Sequence, residues 1–179
     1  MNDDESKGAG IEVEVTVNGR SRRLRGDAGR TLLDALRNDL DLKGTRFGCG
    51  LEQCGSCMVL IDDQPVRACG RSLVGLDGAR IVTLEGLAEC VPARQRVSYQ
   101  GRELHPLQQA FLDEQAGQCG FCLSGILVSA AALLMRNPEP ERDDIVQALD
   151  AHLCRCGAHT RIIRAVARAA GSLRGEGAA

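Results

Sequence analysis

The chain has 179 residues, a formal net charge of −2 and 44% hydrophobic side chains, so it can bury a core but lacks the basic excess of a nucleic-acid binder. Only 2% of its residues are aromatic, which leaves Leu, Val, Ile and Ala to build that core. A core of that kind is modest in stability, and a cofactor that crosslinks the chain would add to it.

The first ten residues, MNDDESKGAG, are acidic and polar, with no apolar run of the signal-peptide kind, and read as a disordered tail. Arg22 and Arg23 adjoin each other, but no apolar run follows them as it would in a twin-arginine signal. The longest apolar stretch, Ile126 to Met135, is about half the length that spans a bilayer. A cytoplasmic protein without a transmembrane segment is expected.

Ile11, Val13, Val15 and Val17 alternate with polar residues, as on a half-buried strand. Asn18-Gly19 then signals a hairpin turn, and Arg20 to Leu24 returns as a second strand. Thr31 is placed to cap a helix carrying Leu32, Leu33, Leu36 and Leu40 at helical spacing. A glycine-rich loop with cysteines follows from Gly44 to Ser56. Cys57 to Ile61 reads as a buried strand, with further strands near Pro65 to Arg71 and over Arg80 to Leu84. This order suggests a small α+β unit ending near Gly86. Ala88 to Glu103 has no clear period and reads as a linker. Pro106 then suits a first helical position ahead of Leu107, Ala110 and Phe111. Leu123 to Arg136 is apolar nearly all round, as a central helix would be, and stops before Asn137-Pro138. Asp143 or Asp144 is expected to cap a third helix, and Thr160 to precede a fourth with Ile162, Ile163, Val166 and Ala169 inward.

Nine cysteines carry the chemistry. Cys49, Cys54, Cys57 and Cys69 have the spacing C-x4-C-x2-C-x11-C, which matches the plant-type ferredoxin pattern for a 2Fe–2S cluster. Gly48, Gly50 and Gly55 let the loop turn tightly around three converging thiolates. Cys119, Cys122, Cys154 and Cys156 form a second set, C-x2-C followed after 31 residues by C-x-C. Each of its pairs lies at or just before a predicted helix start, where unpaired N–H groups favour negative charge. Ligand count alone also admits zinc at either set. A disulfide framework would require an oxidising compartment that nothing in the sequence signals. Cys90, in the linker stretch, reads as a free surface thiol rather than a ligand.

The segments FGCGLEQCGSCMVLIDDQPVRAC, HPLQQAFLDEQAGQCGFCLSGILVSAAALL and LCRCGAHTRIIRAV resemble the iron–sulfur subunit of the xanthine oxidase family of molybdenum hydroxylases. The resemblance runs from about residue 11 to residue 170. It implies a β-grasp ferredoxin-like 2Fe–2S domain over 11–87, a linker over 88–104, a four-helix 2Fe–2S domain over 105–171 and a C-terminal tail over 172–179. It also implies a large partner subunit that binds molybdopterin and hydroxylates substrate with oxygen from water. In the family the helical-domain cluster lies nearest the pterin, and the ferredoxin-type cluster passes electrons outward. Gln118 matches a glutamine that approaches the pterin, and Cys156 a ligand whose sulfur accepts a hydrogen bond from the pterin amino group. Where the common pattern reads C-G-F-C-T-P-G, this chain has Leu123-Ser124-Gly125 after Cys122. Where it reads C-R-C-T-G-Y, this chain has Gly157-Ala158-His159 after Cys156. Both variants resemble the branch of nicotinate dehydrogenase and isoquinoline 1-oxidoreductase small subunits, which often has no flavin subunit, with a cytochrome as acceptor. An N-heteroaromatic or aldehyde substrate on the partner chain is thereby implied.

Other candidates are weaker. With eight thiols committed, His105, His152 and His159 are not needed as ligands; His105 reads as a helix-start residue, and His159 lies near Cys156. Arg155 either offsets the charge of its flanking thiolates or simply faces solvent. Asp62-Asp63 reads as a turn. A free-standing two-cluster carrier and a zinc-stabilised binding module remain as alternatives.

Overall fold

A computed structural model describes residues 10–175; the expected N-terminal tail, apart from Gly10, and the last four residues of the C-terminal tail lie outside the described residues. Strands β1 (Ile11–Val17) and β2 (Arg20–Gly26) form an antiparallel hairpin whose register runs from Ile11 opposite Gly26 to Val17 opposite Arg20. Asn18 and Gly19 turn it with φ of 48° and 72°, as a type I′ turn requires. Helix α1 (Leu32–Asn38) follows, and the Thr31 side chain accepts the Asp34 N–H at 3.2 Å. The helix ends before Leu40, which packs beside it from the following loop. Strands β3 (Met58–Ile61), β4 (Gln64–Arg67) and β5 (Arg80–Val82) complete a sheet of order β2-β1-β5-β3-β4, with β5 parallel to β1. That is the β-grasp arrangement.

β3 is buried on both faces, and this shapes the molecule. Cys57 and Val59 point into the core shared with α1, Val13, Val15 and Leu24. Met58 and Leu60, on the opposite face, join Val82 and Leu87 in the core of the helical half. Period-two alternation sends neighbouring side chains to opposite faces, so one strand belongs to two cores.

Between the halves, residues 88–104 are not without regular structure. A 3-10 helix covers Leu84–Cys90, a short one Ala93–Gln95, and a hairpin joins β6 (Val97–Tyr99) to β7 (Arg102–Leu104). Strands of three residues are too short to display alternation, which is why the sequence conceals them. The expected surface position of Cys90 is also revised: it is half-buried against the helical core, and burial pushes its thiol pKa up.

The helical half contains α2 (Pro106–Asp113), α3 (Leu123–Arg136), α4 (Arg142–Leu149) and α5 (His159–Arg174). Every residue of α3 from Ser124 to Leu134 is buried. His105 caps α2 by accepting the Leu107 N–H at 3.0 Å, while Gln108 returns a bond to the His105 N–H. The cap of α4 is Glu141 rather than Asp143 or Asp144; Asp144 sits inside the first turn and accepts the Glu141 N–H at 2.9 Å. Helix α5 begins at His159, with Ala158 and not Thr160 at its boundary, and turns Ile162, Ala165, Val166 and Ala169 inward. Among the described residues, no helix is long and apolar enough to cross a membrane.

Candidate iron–sulfur centres

None of the nine cysteines forms a disulfide. The loop between α1 and β3 gathers Cys49, Cys54 and Cys57, and Cys69 arrives just after β4. A β-carbon on Gly48 would press on the Cys54 sulfur, so the loop closes only with glycine there. The Cys49 sulfur accepts N–H groups of Leu51 and Gln53, both at 3.3 Å. Those amides, with that of Cys54, lower its pKa to about 6. Cys57, deep in the core, is pushed up to about 12 by burial, with Cys69 beside it.

The second set is assembled from two segments far apart in sequence. Cys119 and Cys122 precede α3, while Cys154 and Cys156 lie between α4 and α5. The Cys156 and Cys119 sulfurs stand 3.6 Å apart, and Cys122 lies beside Cys154. The Phe121 N–H lowers the Cys119 pKa, whereas burial raises Cys122 to about 12. At Cys154 burial works upward, but the amides of Ala158, Cys156 and Gly157 outweigh it and the pKa falls.

Within the first set the Cys49 N–H donates to the Cys54 sulfur at 3.4 Å and Cys57 lies beside Cys69; within the second, Cys119 meets Cys156 and Cys122 lies beside Cys154. Among the described residues, no three His, Cys, Asp or Glu side chains gather closely enough to hold one metal ion. Four thiols gathered in each set suit a cluster of two irons, each iron held by two thiolates. The protonation pattern also suits a metal cluster, since amide donors stabilise the outer thiolates and a bound metal displaces the proton from a buried thiol. Four buried side-chain polar atoms lack a hydrogen-bond partner among the described residues: Thr45 Oγ1, Arg67 Nε, Ser124 Oγ and His152 Nδ1. Three of them lie two residues from a cysteine of these sets, and the fourth opens the first loop.

Gln118 and Cys156, separated by 38 residues, come together: the Gln118 amide donates to the Cys156 carbonyl at 3.1 Å. Both Gln118 and Cys119 are exposed, so this edge is open to a second protein. Around the first set Phe47 and Leu51 are 62% and 70% exposed. The Arg46 guanidinium lies 5.7 Å from the centre of the Phe121 ring, linking the two cysteine loops. Arg155 and His159 are exposed. His152 is not needed as a ligand on sequence grounds, yet it is 5% exposed and lies between the loops, and burial holds its pKa down to about 4. Its position two residues before Cys154 is the signal the sequence offers.

Residues 15–88 match the model of the 2Fe-2S iron-sulfur cluster binding domain, and residues 83–167 that of the [2Fe-2S] binding domain. One relative, a nicotinate dehydrogenase subunit from Pseudomonas putida, is 46% identical over 88% of this chain and 94% of its own length. The alpha subunit of isoquinoline 1-oxidoreductase from Brevundimonas diminuta is 40% identical over 88% of this chain and 97% of its own. Among solved structures, a chain of quinoline 2-oxidoreductase from Pseudomonas putida 86 superposes with a TM-score of 0.80 at 38% identity, covering 93% of this chain and 98% of that one.

Proposed function

The chain belongs to the iron–sulfur subunits of the xanthine oxidase family of molybdenum hydroxylases, and on that premise we propose which of its residues carry electrons and in what order. It is the electron-transfer subunit of an oxidoreductase whose catalysis and molybdopterin reside on a larger partner chain, and it carries two 2Fe–2S clusters. We assign Cys49, Cys54, Cys57 and Cys69 to one cluster and Cys119, Cys122, Cys154 and Cys156 to the other. The gathering of each set of four thiols from separate segments of the chain carries this assignment. When bound, each cluster takes up and releases one electron at a time. The chain itself holds the thiols at fixed separation, aims amide N–H groups at the outer sulfurs and excludes water from Cys57 and Cys122.

Gln118 and Cys156 are assigned to the partner's pterin, because the open edge joins them by a hydrogen bond beside an exposed cluster thiol. Electrons then leave from the first set, whose loop presents Phe47 and Leu51 to an acceptor protein, a cytochrome or a flavin subunit. The names of the relatives support an N-heteroaromatic or aldehyde substrate for the partner.

Metal analysis of the complex purified through this chain tests the reading: two clusters require four irons per chain, with molybdenum on the partner. Zinc in place of iron would overturn it. Cys57→Ser should remove the ferredoxin-type electron-paramagnetic signal and leave the other. Gln118→Ala should keep all the iron and slow turnover about tenfold, as misplacing a reacting group does.

A further inference from the structure

Three segments meet in the narrow space between the cysteine sets. The first is the Cys54-Gly55-Ser56 turn, in which Gly55 has φ +74° and is buried. The second is the start of α3, where a β-carbon on Gly125 would collide with the Gly55 carbonyl oxygen. The third is His152-Leu153, immediately before Cys154. The Leu153 N–H donates to the Cys54 carbonyl at 3.1 Å, so one hydrogen bond joins the backbone of a first-set cysteine to the residue preceding a second-set cysteine.

The His152 ring sits where these segments converge. It is 5% exposed, and a β-carbon on Gly55 would collide with its Nδ1 atom. The other ring nitrogen, Nε2, is 2.8 Å from the Ser129 hydroxyl. Ser129 lies one helical turn beyond Gly125, and spacing of i to i+4 puts both on the face of α3 that looks at the turn. The imidazole is therefore pinned to α3 at one edge and packed beneath Gly55 at the other. Its Nδ1 atom, buried beside the turn, has no hydrogen-bond partner among the described residues. A smaller side chain would leave the turn without its support, and a longer one would not fit below Gly55.

We propose that His152 is a positioning residue for electron transfer between the two clusters: anchored by Ser129, its ring holds the Cys54-Gly55 turn against Leu153-Cys154 and so sets the inter-cluster separation and the Leu153–Cys54 hydrogen bond. One electron at a time passes from the Cys119, Cys122, Cys154 and Cys156 site to the Cys49, Cys54, Cys57 and Cys69 site. The first of these sites is oxidised by one electron and the second is reduced by one; no bond forms or breaks and no proton moves. Substrate oxidation on the partner supplies the electrons. The inference rests on the ligand assignment above and goes beyond it by naming what couples the two sites.

The test uses the complex of this chain with its catalytic partner, unsubstituted and carrying His152→Ala, His152→Gln or Ser129→Ala. Iron per chain is measured first. The fully reduced complex is then examined for the magnetic interaction between the two clusters. Rapid freeze-quench after substrate addition gives the rate at which the ferredoxin-type signal appears. His152→Ala is expected to keep four irons, alter the interaction and slow that appearance about tenfold, the low end of the cost of losing a group that orients a metal ligand. Gln can still reach the Ser129 hydroxyl, so His152→Gln should recover part of the rate. If His152→Ala loses iron, Ser129→Ala decides: slower transfer at full iron supports the proposal. An unchanged interaction and an unchanged rate at full iron would overturn it. Absence of iron from the unsubstituted complex would instead strike the ligand assignment.

Discussion

His105 shows how much a single side chain can depend on its surroundings. It caps α2 through Nδ1 and is 2% exposed, and burial lowers its pKa from 6.5 to about 4. Between those values the unfolded chain binds a proton that the folded chain refuses, so stability rises with pH across the window and is lost as pH falls below 6.5. Denaturant titrations at about pH 7.5 and about pH 5 should show a loss of about 2 kcal/mol from this residue. His105→Ser, which keeps a capping oxygen, should remove that part of the pH dependence. Cys90 gives the opposite case. Its sulfur approaches the Gly86 carbonyl at 3.9 Å and pairs with none of the other eight thiols, so Cys90→Ser should leave the iron content intact. Spacing leaves it outside both cysteine sets; its half-buried state was not legible, because the 3-10 helix that turns it inward has no sequence period.

Among the elements, those with a cap signal or a long apolar run were the legible ones. Thr31 ahead of a leucine stripe, Pro106 after His105, and the all-apolar run ending at Asn137 each place a helix where the structure has one. Replacing Thr31 with Ala should cost about 1 kcal/mol, measured by urea denaturation, since one N–H at the helix start loses its acceptor. The start of α4 is harder to place because Asp144 and Glu141 satisfy each other's turn reciprocally, and composition does not say which of the two is outside the helix. Helix α3 does more than fill the core. Its Gly125 rests on the Gly55 carbonyl, so Gly125→Ala must push the helix away from the first cysteine loop. A loss of about 1–3 kcal/mol is expected from such overpacking, with a weakened inter-cluster signal as its spectroscopic counterpart.

For the molecule as a whole, the shared strand matters most. Met58, Leu60 and Val82 leave the sheet to pack with Ile126, Val128 and other residues of the helical half, so neither half is complete alone. Each fully buried side chain of this kind contributes about 1.5–3 kcal/mol. Unfolding should therefore be one cooperative event: far-UV circular dichroism and the loss of each cluster's signal should share a midpoint in denaturant. Two separated midpoints would mean that the interface is weaker than this core implies. Leu60→Ala, at the joint, should cost about 2–5 kcal/mol and lower both cluster signals together.

The cysteine spacing by itself pointed to a 2Fe–2S cluster while leaving zinc open, because three thiols in one short loop can be counted along the chain and glycines mark where that loop must turn; the domain matches then showed both clusters. Helix and strand order followed for the same reason: caps and periodicity are local. Tertiary structure alone decided which sulfurs stand together, since Cys119 and Cys156 are 37 residues apart and meet only when α4 packs against both α3 and α5. It alone also placed His152 beneath Gly55, a contact between residues nearly a hundred positions apart that neither segment encodes locally. The distance between the two clusters arises from long-range packing, where one buried ring and two facing glycines set it.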